Sequence, residues 1–379
     1  MSELEKLGSV IETDVLVIGA GIAGLFAAVR AKNLVNRVTL VDKGPVGHTS
    51  QCYYALGGHQ SFLPGHNIDA WVQEVMYFED GLCEQDLVES IYKETFDRIK
   101  DLERYGVRFM EGPDHGYRLL TTRGLAHIRK VYPYPHLAGG KKEIQSLVQE
   151  ADRLGVQSIS NMFILGILTS GGSAAGAVGV DRKNGAFHVF KAGSVIIATG
   201  QCSFKGQYAD QFFLTGDGMV MALEAGAELK NLEFATLWLQ PARFVWEGLG
   251  TAFPMGAVLL NAKGEDFMKR YSPALKSEID YNFQARAMAL EARAGRGPFY
   301  VDFSPIKPED REFLQKPEGW MGLHVKKLRQ AGIEPFNDKW EIVPVFWTVQ
   351  GIKADINCGT KVPGLFVAGR VRSIDPGVT

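Results

Sequence analysis

A short apolar run, Asp14-Val15-Leu16-Val17-Ile18, leads into Gly19-Ala20-Gly21-Ile22-Ala23-Gly24, and an alanine-rich stretch, Leu25–Lys32, follows. The β-branched run predicts a strand buried on both faces, and the alanine-rich stretch predicts a helix. A second apolar run, Arg37–Val41, ends in Asp42, 18 residues beyond Gly24. Strand, glycine turn, helix, strand and acid in this order predict a βαβ unit that binds a dinucleotide. Gly19 permits the tight turn, Gly21 lets backbone approach a diphosphate, and Gly24 allows the helix to pack closely on the strand. The helix N-terminus offers free N–H groups and a positive dipole end to the phosphates. Asp42 is placed to accept from ribose hydroxyls.

The rest of the chain narrows the class. Lys+Arg 41 against Asp+Glu 43 gives a net charge of −2, so there is no basic footprint for nucleic acid or an anionic membrane. Hydrophobic residues at 46% over 379 residues suffice for a large core and two to three domains. The four cysteines, Cys52, Cys83, Cys202 and Cys358, are scattered and form no CxxC pair. A disulfide framework, or a zinc or iron–sulfur site held by this chain alone, is therefore not expected. The N-terminus is charged, and no run of about 18 apolar residues occurs, so the expectation is a cytoplasmic protein without direct membrane insertion.

After Asp42 comes a long loop through Ser50 to the pair Gly57-Gly58, instead of an immediate further βα unit. Ser194–Ile197 predicts another strand, ending in Ala198-Thr199-Gly200. Thr215-Gly216-Asp217-Gly218 caps a predicted helix over Met219–Ala225, and Gly364–Gly369 predicts a strand entering a glycine turn. Asp69–Tyr105 and Lys142–Leu154 carry helical periodicity. Ser158–Leu168 and Ala177–Asp181 predict paired strands, with Ser170–Ser173 as a hairpin turn.

With these stretches in view, the sequence resembles the flavoprotein subunits of the fumarate reductase and succinate dehydrogenase superfamily. The matching segments are VIGAGIAGL, the serine-to-GG loop, ATG, TGDGMVMALEAGAEL, GRGPFYVDFS and PGLFVAG, spanning nearly the whole chain in family order. Short stretches, PARF at Pro241–Phe244 and NAKGED at Asn261–Asp266, look like the adenylylsulfate reductase α branch. The resemblance implies an α/β fold: a Rossmann-like FAD-binding domain with an inserted α+β capping domain. The FAD domain would hold residues 1–240 and 341–379, and the cap residues 241–340. The return segment would lack the final helix that in the family points at the flavin. FAD contacts are implied for Gly19, Gly21, Ile22, Ala23 and Gly24, for Asp42, Lys43, Thr49, Ser50 and Gln51, and for Gly57 and Gly58. They are also implied for Met162, Ala198, Thr199, Gly200, Asp217, Gly369 and Arg370.

Several positions depart from the family pattern. The histidine that carries covalent flavin in some members falls on Gln51, so non-covalent FAD is expected, with His48 a surface or phosphate-side residue. The proton-delivering arginine falls on Tyr281, which can donate a proton but cannot neutralise a carboxylate. Two substrate histidines fall on Phe346 and within Trp238–Pro241. Succinate or fumarate chemistry is therefore disfavoured. The acid of the AGE motif is Arg370, and an arginine beside the flavin favours an anionic reduced ring or an anionic substrate.

Candidates for substrate chemistry are Arg243, Glu247, Tyr281 and Arg286. Arginine suits anion binding because its planar fork donates two parallel hydrogen bonds. Tyr281 and Glu247 are the proton-transfer candidates, and the aromatic residues Trp238, Phe244, Trp246 and Phe253 fit either stacking on a planar substrate or, more readily, interior packing. The resemblance implies hydride transfer between FAD and a small anionic substrate, with electrons passed to an iron–sulfur or other partner. The alternatives are an FAD-carrying electron-transfer subunit without a substrate site, and an oxidase that uses oxygen. No metal site is expected.

Overall fold

The structure is a computed structural model that describes residues 8–55, 57–112, 115–121, 125–134, 139–203, 213–246, 248–316, 320–349 and 351–373. The first apolar run forms a ten-residue strand, Ser9–Ile18, and the helix behind the glycine turn spans Ile22–Lys32. Strand Val38–Val41 returns parallel to the first and is buried along its whole length.

These elements seed a seven-stranded sheet. Its order is Gln157–Ile159, Val38–Val41, Ser9–Ile18, Phe187–Ile197, Ser173–Asp181 and Met162–Ser170, with Leu365–Val367 also paired to Phe187–Ile197. The first four strands and Leu365–Val367 run parallel, while the last two form an antiparallel hairpin. Its turn is Gly171-Gly172, both at positive φ, as a two-residue hairpin turn matched to strand twist requires. Leu16 and Val17 are fully buried and join two different apolar cores, one on each face of the sheet. Helices Ile22–Lys32 and Gly139–Leu154 pack together on one face.

The periodic stretch from 69 to 105 is two helices, Ile68–Phe78 and Gln85–Arg104. The break falls at Asp80-Gly81, where both residues have positive φ, a conformation that ends a helix. A small three-stranded sheet, His59–Gln60, Arg129–Val131 and Leu120–Thr121, lies beside them in sequence.

Residues from 236 to 348 build a separate four-stranded antiparallel sheet, ordered Thr236–Pro241, Lys339–Thr348, Tyr300–Asp302 and Val258–Leu260. It has its own aromatic core, in which Trp246, Phe253, Phe267 and Phe303 are fully buried. The first and last strands of this segment in chain order reach Thr236 and Thr348, so boundaries at 240 and 341 cut through paired strands. Among the described residues, no helix is long and apolar enough to cross a membrane. The four cysteines are free thiols, and no group of three or more His, Cys, Asp or Glu in the described part could hold a metal.

Candidate functional site

The sheet register lines up Val41, Ile18, Ile197 and Val367 on four neighbouring strands. The residues one step further on, Asp42, Gly19, Ala198 and Ala368, all line one cleft. Open parallel sheets leave such a crevice beyond the carboxyl ends of their strands. The cleft is partly open to solvent and has a cavity volume of about 200 Å³.

Gly21 is the N-cap of helix Ile22–Lys32 and has no side-chain cap, so the first-turn N–H groups are left for a ligand. A Cβ added at Gly21 meets only the Ser50 Cβ, at 3.6 Å, so the position opens to the cleft. Ile22 and Ala23 line the cleft beside it. Gly24 does not; a Cβ there would stand 1.8 Å from the Gly19 carbonyl oxygen, so this glycine serves close packing.

Asp42 is held rigidly. Its Oδ2 accepts the Ala20 N–H at 2.7 Å, and its Oδ1 accepts the Gly44 N–H at 2.8 Å and the Thr49 hydroxyl at 3.0 Å. A carboxylate offers about four lone-pair positions, so capacity remains for a ribose hydroxyl. Lys43 donates to the Thr215 hydroxyl at 2.6 Å and pairs with Asp217, which also accepts from Thr215 at 2.7 Å. The Lys43 charge is thus neutralised within the wall, and Asp217 lines the cleft with one oxygen engaged.

Thr49, Ser50, Gln51, Met162, Thr199, Gly200, Gly369 and Arg370 line the same cleft. Gln51 opens a one-turn helix, Gln51–Tyr54, inside what the sequence presents as a plain loop. Gly57 and Gly58 stand outside the lining. A Cβ at Gly57 would meet Glu143 Oε2 and the Gly140 nitrogen at 2.9 Å, and one at Gly58 would meet the Tyr132 ring at 2.4 Å. Both glycines let the loop press onto its neighbours. His48 is exposed, with its ring against Tyr53.

Buried polar atoms ring the cleft. Ser50 Oγ, Thr199 Oγ1, both amide atoms of Gln201, and Nε and Nη2 of Arg370 have no hydrogen-bond partner among the described residues. Such atoms are costly unless a ligand satisfies them. Gln201 is 2% exposed and lines the cleft, yet sequence reasoning passed over it. The available signal was a lone amide directly after the strand end Ala198-Thr199-Gly200. Burial pushes the Arg370 pKa down to about 10, against a small opposing effect of Cys52, so the guanidinium stays charged at neutral pH. Burial also raises the Cys52 thiol, with the Ile22 N–H and Arg370 pulling the other way.

The substrate candidates do not gather there. Tyr281 starts helix Tyr281–Arg293 and is 2% exposed, its ring packed on Trp238 and Phe253. Arg286 is on the surface, paired with Asp80 at 3.3 Å. Arg243 is exposed in the turn after strand Thr236–Pro241. None of the three lines the cleft, and Glu247 lies outside the described residues. Trp238, Trp246 and Phe253 are core residues, and Phe244 packs against them.

Comparison with known proteins bears on this geometry. The family model described as FAD binding domain matches residues 14–377. The succinate dehydrogenase flavoprotein subunit of Rickettsia bellii is 32% identical over 303 residues, covering 75% of this chain and 49% of that protein. The chain therefore spans about half the length of that relative. The solved structure of Escherichia coli quinol fumarate reductase aligns with a TM-score of 0.82 at 23% identity, over 97% of this chain and 66% of that one. Adenylylsulfate reductase from Archaeoglobus fulgidus aligns with a TM-score of 0.77 at 21% identity, over 99% and 68% of the two chains. The glycine turn, the rigid Asp42 and the ring of orphaned donors suit a flavin dinucleotide, and the chain belongs to the FAD binding domain family, with a succinate dehydrogenase flavoprotein subunit among its relatives.

Proposed function

We propose that this chain is an FAD-dependent oxidoreductase that exchanges a hydride between non-covalently held flavin and a small anionic substrate, and passes electrons to a separate carrier such as an iron–sulfur protein. The observation that carries this reading is the cleft running from Asp42 to Arg370, with unsatisfied donors and acceptors concentrated along it. Bound FAD supplies the hydride-accepting ring. The residues of the chain do the rest. Asp42 fixes the ribose end, the Gly19–Ala23 backbone receives the diphosphate, and Ser50, Thr199 and Gln201 satisfy the remainder of the cofactor.

The segment 241–340 serves in this reading as the lid that keeps water from the ring. Arg243 has no ion-pair partner among the described residues, whereas Arg286 is held by Asp80. Of the two candidate arginines in this segment, Arg243 is thus the one open to a substrate anion. Tyr281, wedged among aromatic rings, supports the lid instead of moving a proton. The Rickettsia relative is by name one subunit of a larger assembly, which supports electron delivery to another chain.

A second reading has its own support. The candidate substrate residues do not converge on the cleft, as expected for an electron-transfer subunit with no substrate of its own. Anaerobic titration of the FAD-loaded chain with small carboxylates, amino acids and sulfur oxyanions separates the two. Bleaching of the flavin by one of them without a protein partner supports the oxidoreductase reading. A flavin that responds only to a partner protein supports the second.

A further inference from the structure

We propose that Arg370, assisted by the Gln201 amide, holds the negative charge of the reduced flavin and so sets the potential at which this protein exchanges electrons. The inference rests on FAD lying with its ring at the Arg370 end of the cleft. That direction follows from the fixed points already described. Asp42 marks the ribose end and the Gly21 helix terminus marks the diphosphate, so the ring falls at the remaining end, beside Gln51, Cys52, Gly369 and Arg370.

Gly369 makes the approach possible. Its φ is +71°, and a Cβ there would lie 2.5 Å from the Ala23 Cβ, so only glycine lets this turn press onto the first turn of the helix. Arg370 is then the next side chain, delivered at the edge of the cleft. Its guanidinium lies over the Trp347 ring at 4.9 Å, and Trp347 is locked edge-on to Trp238 at 5.0 Å. Stacking on this ring favours the head group's place at the cleft.

No acidic side chain among the described residues pairs with Arg370. The titratable group that acts on it is the neutral Cys52 thiol; Glu143 acts on Cys52 and is itself paired with His59. Arg370 forms no ion pair among the described residues, and two of its buried nitrogens lack hydrogen-bond acceptors. A buried cation in this state is stabilised by whatever anion arrives beside it. Gln201 adds an unpaired amide, 2% exposed, to the same cleft.

Oxidised flavin is neutral. A hydride delivered to N5 brings two electrons and one proton, and if N1 takes no further proton the ring carries one negative charge. Arg370 interacts more strongly with that charged ring than with the neutral one, and the difference raises the reduction potential.

The test is an equilibrium titration of the FAD-loaded chain against a redox dye between pH 6 and 9, without substrate. Wild type and Arg370→Lys should both lose about 30 mV per pH unit, the slope of a two-electron, one-proton couple. Arg370→Gln should shift the equilibrium at least tenfold toward oxidised flavin, about 30 mV, and steepen the slope toward that of two protons. Gln201→Ala should move it in the same direction by less.

A wild-type slope of two protons per two electrons would overturn the proposal whatever the variants do. So would equal potentials in wild type and Arg370→Gln, or an Arg370→Lys protein that falls as far as Arg370→Gln. Loss of FAD from both Arg370 variants alike would also overturn it, because a group acting on the reduced ring is not needed to hold the oxidised one. Since no substrate enters this titration, its failure is distinct from failure of the substrate reading above.

Discussion

The fully buried carboxylate of Glu291 receives both arms of the Arg296 guanidinium, Nε and Nη2 each at 2.7 Å. It also accepts from Arg270 Nη1 at 2.8 Å, the Tyr271 hydroxyl at 2.8 Å and Asn261 Nδ2 at 3.0 Å. One side chain thereby ties the NAKGED turn, the short helix Met268–Tyr271 and the GRG segment to helix Tyr281–Arg293. Two stretches that mark the family resemblance are, in this chain, joined by one structural staple away from the cleft.

The Arg296 hydrogen bonds outweigh burial, and with Asn261 and Tyr271 they hold the Glu291 carboxyl at about 2. Its contribution to stability is thus complete above the ordinary carboxyl range near 4.5 and is lost as pH falls from there toward about 2. Glu291→Gln should cost about 3 kcal/mol in urea unfolding at neutral pH and flatten the acid limb of the stability curve. FAD content should be unchanged. A variant as stable as wild type would show that the staple contributes nothing.

His59 pairs with the buried Glu143 next to the Gly57 turn. Burial opposes the charged ring, but the charge and hydrogen bond of Glu143 outweigh it and raise the imidazole above 6.5. The stabilisation is therefore full below pH 6.5 and lost as pH rises through the raised value. Thermal unfolding followed from pH 6 to 9 should show this loss in wild type. In His59→Gln the curve should be flat across that window and about 2 kcal/mol lower at its acid end. Parallel curves would remove the pair from the pH response.

Arg243→Ala should leave thermal stability unchanged, because the side chain is exposed and makes no ion pair among the described residues. It should weaken binding of the anionic substrate, or of a non-reactive analogue, by about 2 kcal/mol, roughly thirtyfold. Calorimetric titration gives the comparison, and equal affinities would take Arg243 out of the site.

The family resemblance implies that Gln51 falls where some members carry flavin on a histidine, and an amide is no nucleophile. Acid precipitation of the holoprotein should leave the flavin in the supernatant. Yellow colour retained by the washed precipitate would mean a covalent link, with the Cys52 thiol, which also lines the cleft, the group to suspect.

Local signals carried far into this fold. Gly19 to Asp42 is legible because strand, turn and helix each show their period within a few residues, and the Gly171-Gly172 hairpin is legible for the same reason. The Asp80-Gly81 break inside the helical stretch had a signal too, a dipeptide suited to positive φ, but amphipathic periodicity on both sides masked it. What sequence could not supply is burial and distant pairing. Arg286 meets Asp80 across 206 residues of chain, and nothing near either residue announces it. The resemblance implies a catalytic position for Tyr281, yet its ring packs on Trp238 and Phe253 as part of the core. Gln201 was invisible because its importance lies in having no partner, which only the packed wall reveals.

The account rests on FAD lying across the helix terminus at Gly21. The most direct measurement is the flavin content of the purified chain and of Gly21→Val, read from the absorbance of flavin released on denaturation. Wild type should release stoichiometric FAD. The variant should be folded by circular dichroism yet colourless, because its new side chain has only the Ser50 Cβ near it and projects toward the cleft. A wild-type protein that carries no flavin and refuses added FAD, or a Gly21→Val protein as yellow as wild type, would contradict the account.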